Sequence, residues 1–202
     1  MSPARGVGRV IAVASGSAAP LRLQPKTSTL EDNVPTPEAW LRGSMEGVDP
    51  VLQPAAFALV QAREDLASAV AGLTAAQLRA RPGGAASVEF HLRHIAGSID
   101  RLLAYARGQP LSAEQREQLA AESVPTSADV GVETLLSQSE AAIDRGMVAL
   151  RSADPGTLHA ARTVGRAALP TTVFGVLYHI AEHTQRHTGQ VIVTAKVVRS
   201  GA

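Results

Sequence analysis

Three of the chain's six histidines, His179, His183 and His187, stand four residues apart in a stretch whose apolar residues recur with a helical period. Residues four apart in a helix lie about 6 Å apart along the axis and share a face, so these imidazoles form one ladder. The segment runs from an N-cap at Thr171 or Thr172, through Val191, Ile192 and Val193, to about Val198. A chain containing it must place the rest of its structure around one long, histidine-bearing helix.

Three more long segments carry the same period. Asp49-Pro50 pairs a good N-cap with proline at the first helical position, and Leu52, Ala55, Ala56, Leu59, Val60, Leu66, Val70 and Leu73 then mark one apolar face, ending near Gly72. After the Pro82-Gly83-Gly84 break, a second helix starts at Ser87 and runs to Arg107, with Gly108 as its C-cap. Ser112-Ala113-Glu114-Gln115 is a capping-box pattern that opens a short helix to about Ala121. A third long helix spans about Val130 to Leu150 and stops at Asp154-Pro155-Gly156. Residues 155–170, with two glycines, two arginines and Pro170, read as a loop crossing between helices, and His159 within it as a surface residue. Trp40 is expected to cover one end of the packed helices.

Four long helices with long connections predict an all-α fold: a four-helix bundle with a long crossover connection and a short extra helix. Aromatic residues are only 3% of the chain, which suits closely packed helices better than a sheet sandwich. Residues 35–202 form the predicted domain. Residues 1–34 mix Gly, Ser, Ala, Pro and Arg without a period and read as a disordered N-terminal extension. Arg5 and Arg9 ahead of Val10-Ile11-Ala12-Val13-Ala14 faintly resemble a secretory signal, but Gly6 and Gly8 interrupt the charged part, so a dispensable extension is the preferred reading.

Bulk properties narrow the function. A net charge of +1, with scattered Lys and Arg, gives no electrostatic ground for nucleic-acid binding. No apolar run reaches the roughly 18 residues a membrane-spanning helix needs, and a soluble, cytoplasmic protein acting on a small molecule is expected. With no cysteine, thiolate nucleophiles and thiolate metal sites are excluded together, so any metal must sit on nitrogen and oxygen.

The ladder is too tall for one ion. His179 and His187 are about 12 Å apart, whereas a metal–imidazole bond is about 2.0–2.1 Å. A mononuclear site therefore uses one adjacent pair and a third ligand from elsewhere, and the best donor is the segment His91-Leu92-Arg93-His94 in the second helix. There the period of Phe90, His94, Ile95, Ile99, Leu102 and Leu103 turns His94 inward and leaves His91 between the inward and lateral faces. Simple packing is the ordinary fate of one buried histidine. Imidazoles on the inward faces of two helices would each cost desolvation, which a shared metal removes. A rival reading takes His179-Ile180-Ala181-Glu182-His183 as the H-x-x-E-H pattern of inverted zinc proteases, with Glu182 as general base. Those enzymes draw a further carboxylate from downstream, and no Asp or Glu follows Glu182 here.

The inward His94 in the second helix, together with His183-Thr184-Gln185-Arg186-His187-Thr188-Gly189-Gln190 late in the last, resembles the DinB/YfiT-like family of metal-binding four-helix bundles, over about residues 48–198. The resemblance implies metal ligands at His94, His183 and His187, a divalent ion such as zinc or nickel, and one or more open positions. It makes His91 and His179 pocket or supporting residues; Tyr178, Glu182 and Gln190 are weaker candidates for such roles, with a structural role as the equal alternative. Relatives include thiol-dependent transferases and isomerases, so the implied function is that of a metal-dependent transferase or hydrolase, with a low-molecular-weight thiol as a candidate cofactor. The alternative is a non-catalytic, stress-associated metal-binding bundle. Relatives often pair through helix faces, which makes the exposed sides of the first and third helices candidate homodimer surfaces. The family takes its name from damage-inducible bacterial genes, which implies neither polymerase activity nor DNA binding.

Overall fold

A computed structural model of the chain describes residues 36–127 and 130–201. The proposed extension 1–34, with its signal-like stretch, lies outside the described residues. The expected caps set the helices that follow. Asp49 accepts from the Val51 amide at 2.9 Å ahead of a 3₁₀ turn, Pro50–Leu52, which continues into α1, Gln53–Val70. A short helix not read from the sequence, α2 (Ala75–Arg79), is opened by a reciprocal Thr74–Gln77 capping box and anchored by the buried Leu78. Ser87 caps α3, Val88–Ala106, and the Ser112–Gln115 box caps α4, Ala113–Ala121. Next come α5, Val132–Arg151, and α6, Val173–Ser200, the longest at 28 residues.

Residues 155–170, expected as a plain crossing loop, instead contain most of a β-hairpin. Its strands, β1 (Ala161–Val164) and β2 (Leu169–Thr172), pair antiparallel. The hairpin ends where α6 begins. The first amides of α6, which have no partner inside the helix, donate backward: Val173 to the Ala160 carbonyl at 3.0 Å and Phe174 to the Leu158 carbonyl at 2.8 Å. Trp40 does not cover the bundle. It is 60% exposed, with Nε1 donating to Glu38, and the neighbouring Ala39 is buried instead. His159 is exposed, as expected.

α1, α3, α5 and α6 form the bundle, with α1 packing on α5 and α6, and α3 packing on the same two. Leu59 of α1, Ile99 of α3 and Ile180 of α6 meet over Gly146 of α5, where a Cβ would lie 3.2 Å from Leu59. Each of these large side chains is at most 2% exposed, and burying one contributes about 1.5–3 kcal/mol.

Helix directions follow from the cross-links. Gln185 donates to the Ala58 carbonyl and Arg199 to the Ala71 carbonyl, so α1 and α6 are parallel. Ser139 donates to the Leu92 carbonyl, and Arg145 pairs with Asp100, so α3 and α5 are parallel too. The chain between those two must therefore return the length of α3, about 28 Å for 19 residues. The expected long crossover and short extra helix are this connection. α4 and the residues after it run back along α3: Gln115 donates to the Asp100 carbonyl, Arg93 donates to the carbonyls of Ala121 and Val124, and the Thr126 amide donates to Glu89.

Candidate metal centre

Because α3 and α6 run antiparallel, His91 and His94 ascend as His187 and His183 descend. The ring nitrogens of His94, His183 and His187 offer one ligand atom each within 4.8 Å of one another. Ring centroids are 5.1 Å apart for His94 and His183, 4.4 Å for His94 and His187, and 4.6 Å for His183 and His187. All three rings are partly buried.

Each ring has a defined setting. His94 Nδ1 lies 2.7 Å from Oε2 of Glu122, while its Nε2 lies 2.9 Å from Nε2 of His183. Glu122 Oε1 accepts from Arg101 at 2.6 Å, and both residues of that ion pair are buried. Phe90 stacks on His94 with 10° between the planes. His187 Nδ1 meets Nδ1 of the buried His91 at 3.0 Å. Behind the α6 histidines, the hydroxyls of Thr184 and Thr188 donate to the carbonyls of Ile180 and Thr184, so these buried polar groups take no donor from the cluster.

Burial is the main force on protonation here. It pushes His91 and His183 down to about 4 and His187 to about 3, and the neighbouring His94 acts in the same direction. The imidazoles of these three residues are neutral at ordinary pH, which is the form that binds metal. His183 Nδ1 is buried and has no hydrogen-bond partner. A closely spaced, nitrogen-only donor set suits a borderline divalent ion.

The other residues singled out in the sequence fall in different places. His91 lies against His187 rather than within the group of three. His179 is exposed and outside the group of three; its Nδ1 lies 3.0 Å from Glu182. Glu182 also pairs with Arg186. Burial would raise its carboxyl, but Arg186 and His179 outweigh that and hold it below the usual carboxylate range. Tyr178 is exposed and stacks against Phe174, and Gln190 is exposed.

Sequence reasoning missed Glu122 and Arg101. Neither stands in a motif, and Glu122 is 28 residues from its histidine. Gly97 was the available clue, being a lone glycine inside an amphipathic helix.

The fold and cluster define a class: helix bundles that carry a histidine triad between facing helices. Within it, the family model described as the DinB superfamily matches residues 58–191, and the chain belongs to that superfamily. Among solved structures the chain is similar to YfiT from Bacillus subtilis, a probable metal-dependent hydrolase with an unusual four-helix bundle topology. The TM-score is 0.58 at 16% identity, over 81% of this chain and 97% of that one. Comparison with curated proteins gives no match.

Proposed function

We propose that the chain is a metal-dependent enzyme, a hydrolase or transferase acting on a small molecule, in which His94, His183 and His187 hold one divalent ion, zinc or nickel. One observation carries this reading: three ring nitrogens from two antiparallel helices converge within 4.8 Å. Structural zinc sites close all four positions with protein ligands, whereas three protein ligands and an open fourth position are the catalytic pattern. His91 is turned toward His187 and His179 toward Glu182, and neither belongs to the group of three, which favours the open arrangement over a purely structural ion.

When bound, an ion on three neutral imidazoles keeps its full charge and supplies Lewis-acid chemistry, bringing the pKa of water toward about 7. The chain's own residues orient and shield the site. Phe90 covers one face of His94, Glu122 holds its Nδ1, and His91 holds His187. The description of YfiT supports the hydrolase side of the reading. The transferase side needs a borrowed thiol, since the chain has no cysteine.

Elemental analysis of the untagged protein tests the proposal. About one equivalent of zinc or nickel is expected, lost in His94→Ala and His183→Ala and retained in His179→Ala. Absence of metal, or loss that depends on His179 and spares His94, sinks it. The loaded protein is then screened for hydrolysis of small amides and esters and for transfer of small thiols to electrophiles.

A further inference from the structure

We propose that Glu122, delivered by the crossover between α3 and α5, is a positioning residue for His94. It keeps the ring proton on Nδ1, so that the Nε2 lone pair faces the histidine cluster. The inference rests on the metal-centre reading above and assigns a role to a connection outside the two ligand-bearing helices.

Three observations carry it. First, the two Glu122 oxygens are divided between partners: Oε2 lies 2.7 Å from His94 Nδ1 and Oε1 accepts from Arg101 Nη1 at 2.6 Å. A carboxylate paired with a guanidinium only accepts, so the neutral His94 ring donates from Nδ1 and bears its lone pair on Nε2. Second, the arrangement is enclosed. Glu122 is 6% and Arg101 7% exposed, and a 180° turn of the imidazole would take Nδ1 away from Glu122 and Nε2 away from His183. Third, α3 has a glycine where the carboxylate passes. A Cβ at Gly97 would run into Glu122 Oε1 and Arg101 Nη1, although its helical backbone does not call for glycine and helix interiors disfavour it. Gly97, Arg101 and Glu122 together form a notch, a clamp and an acceptor aimed at one nitrogen. A carboxylate behind a ligating imidazole fixes its tautomer and raises its basicity.

Replacing Glu122 by glutamine keeps size and removes charge, with a specific consequence. Arg101 takes the amide oxygen, which leaves the NH2 group facing His94 Nδ1. That nitrogen must then accept, and the proton moves to Nε2, toward the cluster.

The test uses the full chain, metal-free and with ¹⁵N-labelled histidine, at about pH 8, above the ordinary histidine range. The nitrogen shifts of His94 should show the Nδ1–H form in the wild type and the Nε2–H form in Glu122→Gln. Zinc affinity, measured by competition with a chromophoric chelator, should fall about ten- to a hundredfold in Glu122→Gln. Gly97→Ala, which displaces the carboxylate without altering a charge, should weaken zinc in the same direction. The wild-type spectrum needs no variant to fold. An Nε2–H tautomer in the wild type overturns the proposal, as does unchanged zinc affinity in a folded Glu122→Gln whose tautomer has switched. A wild type that shows Nδ1–H at His94 but takes up no zinc overturns the metal reading alone and still supports the placement of the proton.

Discussion

His94 Nε2 and His183 Nε2 face each other at 2.9 Å, across the seam between α3 and α6. Two such nitrogens at that distance need a proton or a cation between them. A divalent ion held there would link the two helices and, by binding the folded chain in preference to the unfolded one, would stabilise it by mass action. At a hundredfold excess over Kd the gain is about 2.7 kcal/mol, or roughly 5–10 °C in Tm for a chain of this size. Thermal melts with and without zinc should show that rise in the wild type and none in His183→Ala. A rise that survives in His183→Ala places the ion elsewhere.

Acid should destabilise the metal-free protein earlier than carboxylate protonation alone would. In the fold, His91 and His183 are held at about 4 and His187 at about 3, below the unfolded value of about 6.5. As pH falls below 6.5 the unfolded chain takes up protons that the folded chain refuses, so stability is lost progressively down to about pH 4–3 and is fully present above 6.5. Urea midpoints between pH 7.5 and 5 should fall in the wild type and fall less in His187→Ala. A flat wild-type profile over that window contradicts the assigned burial of these rings.

Much of this could be read from letters because it is local. Asp49, Ser87 and Ser112 announce helix starts within three residues of themselves, and His183 and His187 meet through a spacing internal to one helix. What stayed hidden is long-range. The parallel run of α3 and α5 is fixed by Ser139 on the Leu92 carbonyl and by Arg145 on Asp100, contacts that leave no period in the sequence. Glu122 reaches His94 only because that topology sends the chain back along α3. The hairpin escaped because strands of four residues, burdened with Pro170, carry too little alternation to stand out. Trp40 misled through its type: a large aromatic suggests burial, but its indole finds a partner in the adjacent, exposed Glu38.

The crossover is tied to α3 at a second point, and breaking that tie should be costly. Glu89 is 2% exposed, accepts from the Thr126 amide at 2.5 Å and lies 3.2 Å from Arg79 and 3.9 Å from Arg93. Glu89→Ala leaves the Thr126 amide without its acceptor and leaves Arg79 and Arg93, both partly buried, with carbonyl acceptors but no counter-charge, at a cost of about 3 kcal/mol. Arg145→Ala, which removes a half-exposed partner of Asp100, should cost less than about 1 kcal/mol. Denaturant unfolding of both variants makes the comparison, and equal losses would mean that Glu89 is not the anchor.

The centre of the bundle provides a test of the fold that does not depend on the histidines. Leu59 has no exposed surface and sits against Gly146, with Ile99 and Ile180 on the same glycine. Truncating it opens a cavity that four rigid helices cannot close, so Leu59→Ala should cost about 3–4 kcal/mol. Val193→Ala, at a residue of α6 that is 62% exposed, should change stability by less than about 0.5 kcal/mol. Because Leu59 lies on α1, outside the cluster, the Leu59→Ala protein should still take up metal wherever it remains folded. Metal loss in that folded variant would show that the triad depends on the packing of the bundle centre as well as on α3, α6 and the crossover.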